Sequence, residues 1–214
     1  MYTVLVEGNI AAGKSTFLKI MESKLGNLVS IDFEPLNKWT NFRGTNLLNK
    51  LYEDPHKNSF QFQTYVQLTM AEIQLKNSEK PIRIIERSLF SERYVFIEAL
   101  KTLNLISTEE YNILDEWFNF LSSKVLPINE IIYLKTSPEV SYQRLLTRGR
   151  QEENSVNLEY LQLIHDLHEQ WLISDRQVNS KLLNTLIRVI DQNQTLSDLK
   201  SEFKEISEEI INRI

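Results

Sequence analysis

The segment Gly8-Asn9-Ile10-Ala11-Ala12-Gly13-Lys14-Ser15 has G-x-x-x-x-G-K-S spacing. Glycine lets a backbone turn tightly, so that successive N–H groups point at the oxygens of a phosphate chain. In such a loop Lys14 reaches the β- and γ-phosphates and Ser15 ligates Mg²⁺, while Gly8, Asn9, Ala11, Ala12, Gly13 and Thr16 surround the chain of phosphates. A helix starting near Lys14 adds the positive end of its dipole. The loop describes a phosphate donor and leaves the acceptor open.

Three other places carry groups suited to the rest of the reaction. Glu34 precedes Pro35 in SIDFEPLNKW, and proline holds the preceding residue extended, which puts the carboxylate at a strand's exit. There it could take a proton from a hydroxyl nucleophile; on this fragment alone a solvated acid fits as well. In IIERS, Glu86 suits the water shell of a metal and Arg87 suits an acceptor hydroxyl and the approaching phosphoryl group, although Glu-Arg is also an ordinary surface pair. YQRLLTRGRQEE brings Arg144, Arg148 and Arg150 late in a helix and into the next loop. Arginines there could close over a triphosphate, or simply compensate a helix C-terminus.

These groups need a scaffold that gathers them. Short apolar runs at Tyr2–Glu7, Leu28–Phe33, Ile82–Glu86, Ile131–Lys135 and Leu186–Ile190 alternate with amphipathic stretches at Lys14–Leu25, about Lys57–Lys76, Leu89–Leu103, Thr108–Ser123, Pro138–Arg148, Leu158–Arg176 and Leu196–Asn212. The pattern predicts an α/β fold with a five-stranded parallel sheet flanked by helices. In such sheets ligands sit beyond the carboxyl ends of the strands, and each candidate group follows a strand.

Bulk properties narrow the class. The chain has 214 residues, 42% hydrophobic and 25% charged, with no repeat or linker, which predicts a single domain over 1–214. Cysteine is absent, which excludes disulfides and thiolate metal sites and fits a reducing compartment. A net charge of −5 without a basic block argues against a nucleic-acid polymer as partner. No apolar run approaches the roughly 20 residues of a membrane span. A strand pattern from Tyr2 leaves no room for a leader, so the expectation is cytoplasmic, with mitochondria open if an upstream transit segment has been removed.

Together, EGNIAAGKST, EPLNKW, NLLNKLYEDP, FQFQTY, ERSLFSERYVF and YLKTSPEVSYQRLLTRGRQEE resemble the deoxyribonucleoside kinases, in order and spacing from about residue 3 to Trp171. The resemblance implies a P-loop kinase with an arginine-bearing lid, usually a homodimer, that uses ATP and Mg²⁺ to phosphorylate a deoxynucleoside 5′-hydroxyl. It makes Glu34 the general base and Arg87 its partner, Glu86 part of the magnesium shell, and Arg148 and Arg150 the lid arginines. It places Tyr52 and Glu153 on the sugar 3′-hydroxyl, with Tyr52 crowding the 2′ position. Gln63 then reads the base edge, walled by Ile10, Trp39, Leu51, Phe62, Val66, Met70 and Phe96. Independently of the resemblance, the Gln63 amide can present either a donor or an acceptor, matching thymine or cytosine. Without the resemblance, the stripe Phe62, Val66 and Met70 reads more naturally as core.

Glu92 breaks the pattern. It is closer to the aspartate of the deoxycytidine and deoxyguanosine branch, whose partner arginine is replaced here by an apolar residue, as in the thymidine-accepting members. An inward Glu92 would be an unpaired buried charge, so it is predicted to turn toward Arg93, another cation or water, leaving a pocket for thymidine and deoxycytidine. Two alternatives are a nucleoside monophosphate kinase of thymidylate type, which needs cations for its acceptor's phosphate, and a non-catalytic subunit that retained the fold. His165 and His168 share a helix face at metal-binding spacing but lack companions, so a solvated or capping role is predicted.

Overall fold

The computed structural model describes residues 1–174, 180–194 and 196–214. Strand β1 (Tyr2–Gly8) is apolar at Val4, Leu5 and Val6, all fully buried, as befits a strand covered on both faces. Period-two alternation sends Val4 and Val6 to one core layer and Leu5 to the other. With β2 (Val29–Asp32), β3 (Ile82–Glu86), β4 (Glu130–Lys135) and β5 (Leu186–Asp191) it forms a parallel sheet in the order β2-β3-β1-β4-β5.

Helices α1 (Lys14–Leu25), α2 (Leu36–Thr40), α3 (Leu47–Glu53), α4 (Pro55–Gln74), α5 (Leu89–Ser91), α6 (Glu98–Thr102), α7 (Thr108–Ser122), α8 (Pro138–Arg148), α9 (Leu158–Glu169) and α10 (Leu196–Ile211) lie between and after the strands. One face of the sheet is covered by α1 and α10, where Phe17 meets Phe203 edge-on at 4.8 Å. Residues of α4 and α9 are in the layer on the other face. Among the described residues, no helix is long and apolar enough to cross a membrane.

The predicted strands are all present, within a residue or two at each end. The differences fall where local chemistry competes with periodicity. Leu28 belongs to a 3-10 turn, Gly26–Leu28, which shortens β2. α4 starts earlier than predicted because Asp54 caps it and Pro55 takes the first turn, where a missing N–H costs nothing. The helix predicted over Leu89–Leu103 is broken by a π-turn, Glu92–Ile97, between α5 and α6. α9 likewise passes into a π-turn, Gln170–Ser174, and the rest of the predicted Leu158–Arg176 helix lies outside the described residues. The short helices α2 and α3 are too brief to leave a periodic signal.

His168 corrects an expectation. It is fully buried rather than solvated, stacked on Tyr133 with ring centroids 5.7 Å apart and Nδ1 2.7 Å from the Ile164 carbonyl. Burial holds its pKa well below the ordinary imidazole value.

Candidate active site

The turn after β1 is shaped by two glycines. Gly8 has φ +148°, and a Cβ there would come within 2.7 Å of the Leu134 carbonyl oxygen; Gly13 has φ +95°. Ala11, between them, also adopts a left-handed backbone at φ 60°. Lys14 Nζ donates to the Gly8 and Asn9 carbonyls at 3.1 and 2.7 Å, so the loop closes around its own lysine. Burial, then the nearby Arg87, lowers the Lys14 pKa to about 7, and a bound phosphate would restore the charge. Asn9 turns its side chain inward: Nδ2 donates to the Leu161 carbonyl at 2.9 Å, and Oδ1 accepts from the Ile10 N–H at 2.8 Å.

The chain after β3 is held by a buried acid that the sequence reading passed over. Glu7, the residue before the loop, accepts from Ser88 Oγ at 2.5 Å, and Ser88 in turn caps α5. Burial raises the Glu7 carboxyl to about 7. Between Glu86 and this anchor, Arg87 takes φ 61°, a strained conformation for a side-chain-bearing residue. Its Nη1 donates to the Gly8 carbonyl at 3.1 Å, and its guanidinium lies 4.7 Å from the centre of the Phe96 ring. Arg87 Nε is 2.8 Å from Glu34 Oε1, an ion pair whose N–H does not point along that line. Glu34 itself stands just past β2 rather than within it.

Ser15 Oγ donates to Glu86 Oε1 at 2.9 Å. Two hard oxygen donors at the phosphate loop fit Mg²⁺, which is commonly held by one or two protein oxygens together with substrate phosphates. Among the described residues, no group of three or more His, Cys, Asp or Glu could hold a metal ion by itself.

All of this opens onto one cavity of about 610 Å³. Of the candidate donor, acceptor and metal residues from the sequence, every one except Gly8 and Asn9 lines it. The stripe Phe62, Gln63, Val66 and Met70 is buried on α4 and faces this space, so it serves both core and pocket. Trp39 is fixed by Nε1 donating to Thr69 Oγ1 at 2.9 Å and meets Phe62 edge-on at 5.7 Å. Tyr52, Tyr160, Glu153 and Glu34 all line the cavity, and burial, then the other three groups, pushes the Tyr52 hydroxyl pKa up. Tyr160 was missed because LEYLQL reads as helix interior; its proximity to Tyr52 is a tertiary fact.

The arginines expected to form a lid are drawn onto an acid. Arg150 Nη1 donates to Glu153 Oε1 at 2.8 Å, and Arg148 pairs with the other oxygen of Glu153. Asn46, the cap of α3, donates to Glu152 Oε1 at 2.9 Å and ties the same turn to the acceptor side. Arg144 lines the cavity too, but its Nη2 donates to the Gln192 carbonyl at 2.8 Å.

Glu92 is corrected. It does not reach Arg93, whose guanidinium is engaged by Asp115 at 2.6 Å, Glu98 at 2.5 Å and the Tyr111 hydroxyl at 2.6 Å. With that cation occupied on the far side, Glu92 lies 2% exposed in the cavity wall. Among the described residues neither of its oxygens has a hydrogen-bond partner.

The family model described as deoxynucleoside kinase matches residues 4–214. The chain is 41% identical over 182 residues to a probable deoxycytidine kinase of fowlpox virus, covering 84% of this chain and 75% of that one. Identity to human mitochondrial thymidine kinase 2 is 42% over 171 residues, covering 79% of this chain and 64% of the relative. Human deoxycytidine kinase is 32% identical over 237 aligned positions, covering 99% and 88%. With donor loop, acid–arginine pair and lid around one cavity, these matches are decisive: the chain belongs to the deoxynucleoside kinase family.

Proposed function

We propose that the protein transfers the γ-phosphoryl group of ATP to the 5′-hydroxyl of pyrimidine deoxynucleosides, thymidine and deoxycytidine before purines. The observation that carries this reading is that one cavity is lined by Lys14 and Ser15, by Glu34 and Arg87, and by Gln63 with apolar side chains around it. Glu34 accepts the hydroxyl proton as the oxygen attacks. Arg87 steadies the acceptor oxygen, and Lys14, Arg148 and Arg150 offset charge on the transferring group. Ser15 and Glu86 would hold Mg²⁺, which would offset negative charge on the phosphate chain. Tyr52 and Glu153 take the sugar; Gln63 takes the base edge. Beside Arg87, the cavity also presents the acids Glu34 and Glu153 to the acceptor, which disfavours an acceptor that already carries a phosphate.

The experiment is a phosphorylation assay with ATP and Mg²⁺ against thymidine, the deoxynucleosides of cytosine, adenine and guanine, and dTMP. Pyrimidine deoxynucleosides should be the best acceptors. Phosphorylation of dTMP alone would favour the monophosphate-kinase alternative, and no turnover at all would favour a non-catalytic subunit.

A second copy of the chain is the proposed partner. On α7, Ile113, Trp117 and Phe120 are 46%, 49% and 54% exposed, an apolar face of the kind that subunit interfaces cover. Sedimentation should give twice the 25.2 kDa chain mass, and Trp117→Asp should give the monomer. A cytoplasmic location accords with the cysteine-free composition and is checked by cell fractionation.

A further inference from the structure

In β1 the fully buried Val4, Leu5 and Val6 are followed by an acid, Glu7, that is also fully buried. Strand alternation turns it to the same side of the sheet as Leu5, into the layer that holds Ile85 and Leu89. Its Oε1 accepts from Ser88 Oγ at 2.5 Å, while Oε2 has no hydrogen-bond partner among the described residues. A carboxyl group in such a layer gives up its hydration and regains little of it from one hydroxyl. A leucine there would pack without that cost. Breaches of a local rule of this kind fall at functional sites, and Glu7 stands directly behind one.

Three consecutive residues of β1 grip the chain just past β3. The Val6 carbonyl accepts from the Arg87 N–H at 3.0 Å, the Glu7 carboxyl accepts from Ser88, and the Gly8 carbonyl accepts from Arg87 Nη1 at 3.1 Å. Within this grip Arg87 has φ 61°, a conformation that a residue with a side chain keeps only where its surroundings impose it. Ser88 Oγ accepts from the N–H groups of Phe90 and Ser91, both at 3.2 Å, and gives its own hydrogen to Glu7. With all three bonds made, the Ser88 side chain is fixed against β1 and the start of α5 is fixed with it. Without Glu7, Arg87 is free to relax to an ordinary φ, which carries the guanidinium off its present line.

We propose that Glu7 is a positioning residue for phosphoryl transfer, which acts through Ser88 to hold Arg87 in the left-handed conformation that directs its guanidinium at the acceptor oxygen. The inference rests on the kinase reading of the site, in which Arg87 steadies that oxygen. Glu7 does not line the cavity, so its effect passes through Arg87 and falls on the transition state rather than on substrate binding.

The test measures kcat, KM for ATP and for the best deoxynucleoside acceptor, and thermal melting in the wild type, Glu7→Leu, Glu7→Gln, Ser88→Ala and the double variant Glu7→Leu/Ser88→Ala. Glu7→Leu should lower kcat about a hundredfold, the cost of misplacing a group at the reacting atoms by about 1 Å, with both KM values changing far less. Its melting temperature should be equal or higher, because leucine suits the apolar layer. Glu7→Gln, whose amide oxygen still accepts from Ser88, should recover most of the lost kcat. Ser88→Ala should lose about as much kcat as Glu7→Leu, and the double variant no more than either alone. Wild-type kcat in Glu7→Leu, with or without a lower melting temperature, would overturn the proposal and mark a structural role. So would a loss expressed through KM, or an equal loss in Glu7→Leu and Glu7→Gln. If Glu7→Leu does not fold, Ser88→Ala decides: a kcat near the wild-type value overturns it. A wild type inactive on every deoxynucleoside removes the functional reading and this proposal with it; an active wild type indifferent to Glu7 and Ser88 removes only the proposal.

Discussion

The proposed donor loop and the proposed base pocket are built on opposite principles. In the loop, polar groups already have internal partners: Lys14 on two carbonyls, Asn9 on Leu161, Ser15 on Glu86. In the pocket, Gln63 Oε1 and the Glu92 carboxyl have none among the described residues. A triphosphate looks the same on every nucleotide, so a pre-formed cradle serves it, and ligand oxygens replace weak internal contacts. A base is recognised by its edge, and atoms that discriminate between edges must be kept free for it.

That contrast can be broken first at the junction between the halves. Replacing the proposed base, Glu34→Gln, should lower kcat about a thousandfold while leaving KM for ATP near its original value; a variant with full turnover would remove Glu34 from the chemistry. Beneath the donor loop, Glu7 gives a pH signature. Its carboxyl titrates near 7 when folded against 4.5 ordinarily, so between these values the folded chain holds a proton that the unfolded chain releases. Stability from this group is full below pH 4.5 and declines as pH rises toward 7, by about 3 kcal/mol. Thermal melting of Glu7→Gln should lose that decline. A slope identical to the wild type would show that Glu7 is not the group responsible.

The smallest effect belongs to the pocket. Gln63→Leu should raise KM for thymidine and deoxycytidine about tenfold and, by removing a buried unpaired oxygen, leave the melting temperature unchanged or higher. A matching rise in KM for ATP would mean that the two halves are not separable in this way.

The legible parts of the molecule were those governed by one local rule. The loop at residues 8–15 is legible because its glycines and lysine sit at fixed offsets, and β1 because three consecutive apolar residues follow Thr3. Pro35 made the place of Glu34 readable, since a proline constrains its predecessor. The stripe on α4 was visible only as an apolar face, because a core and a pocket wall use the same residues. Glu92 was misplaced because sequence shows that Arg93 is adjacent but not that Asp115, Glu98 and Tyr111 have already engaged it. Glu7 was overlooked for the same reason: its partner Ser88 lies on a different strand's exit, and only the parallel pairing of β1 with β3 brings them together.

The tie between Asn9 and the Leu161 carbonyl also limits how the enzyme can move. It pins α9 to the donor loop, and Arg144 on α8 is pinned to the Gln192 carbonyl beyond β5. The proposed lid is thus a short span of chain between these two ties, bridged by the turn Gln151–Glu153. With both ties kept, Arg148 and Arg150 would exchange Glu153 for another partner through torsions within that short span.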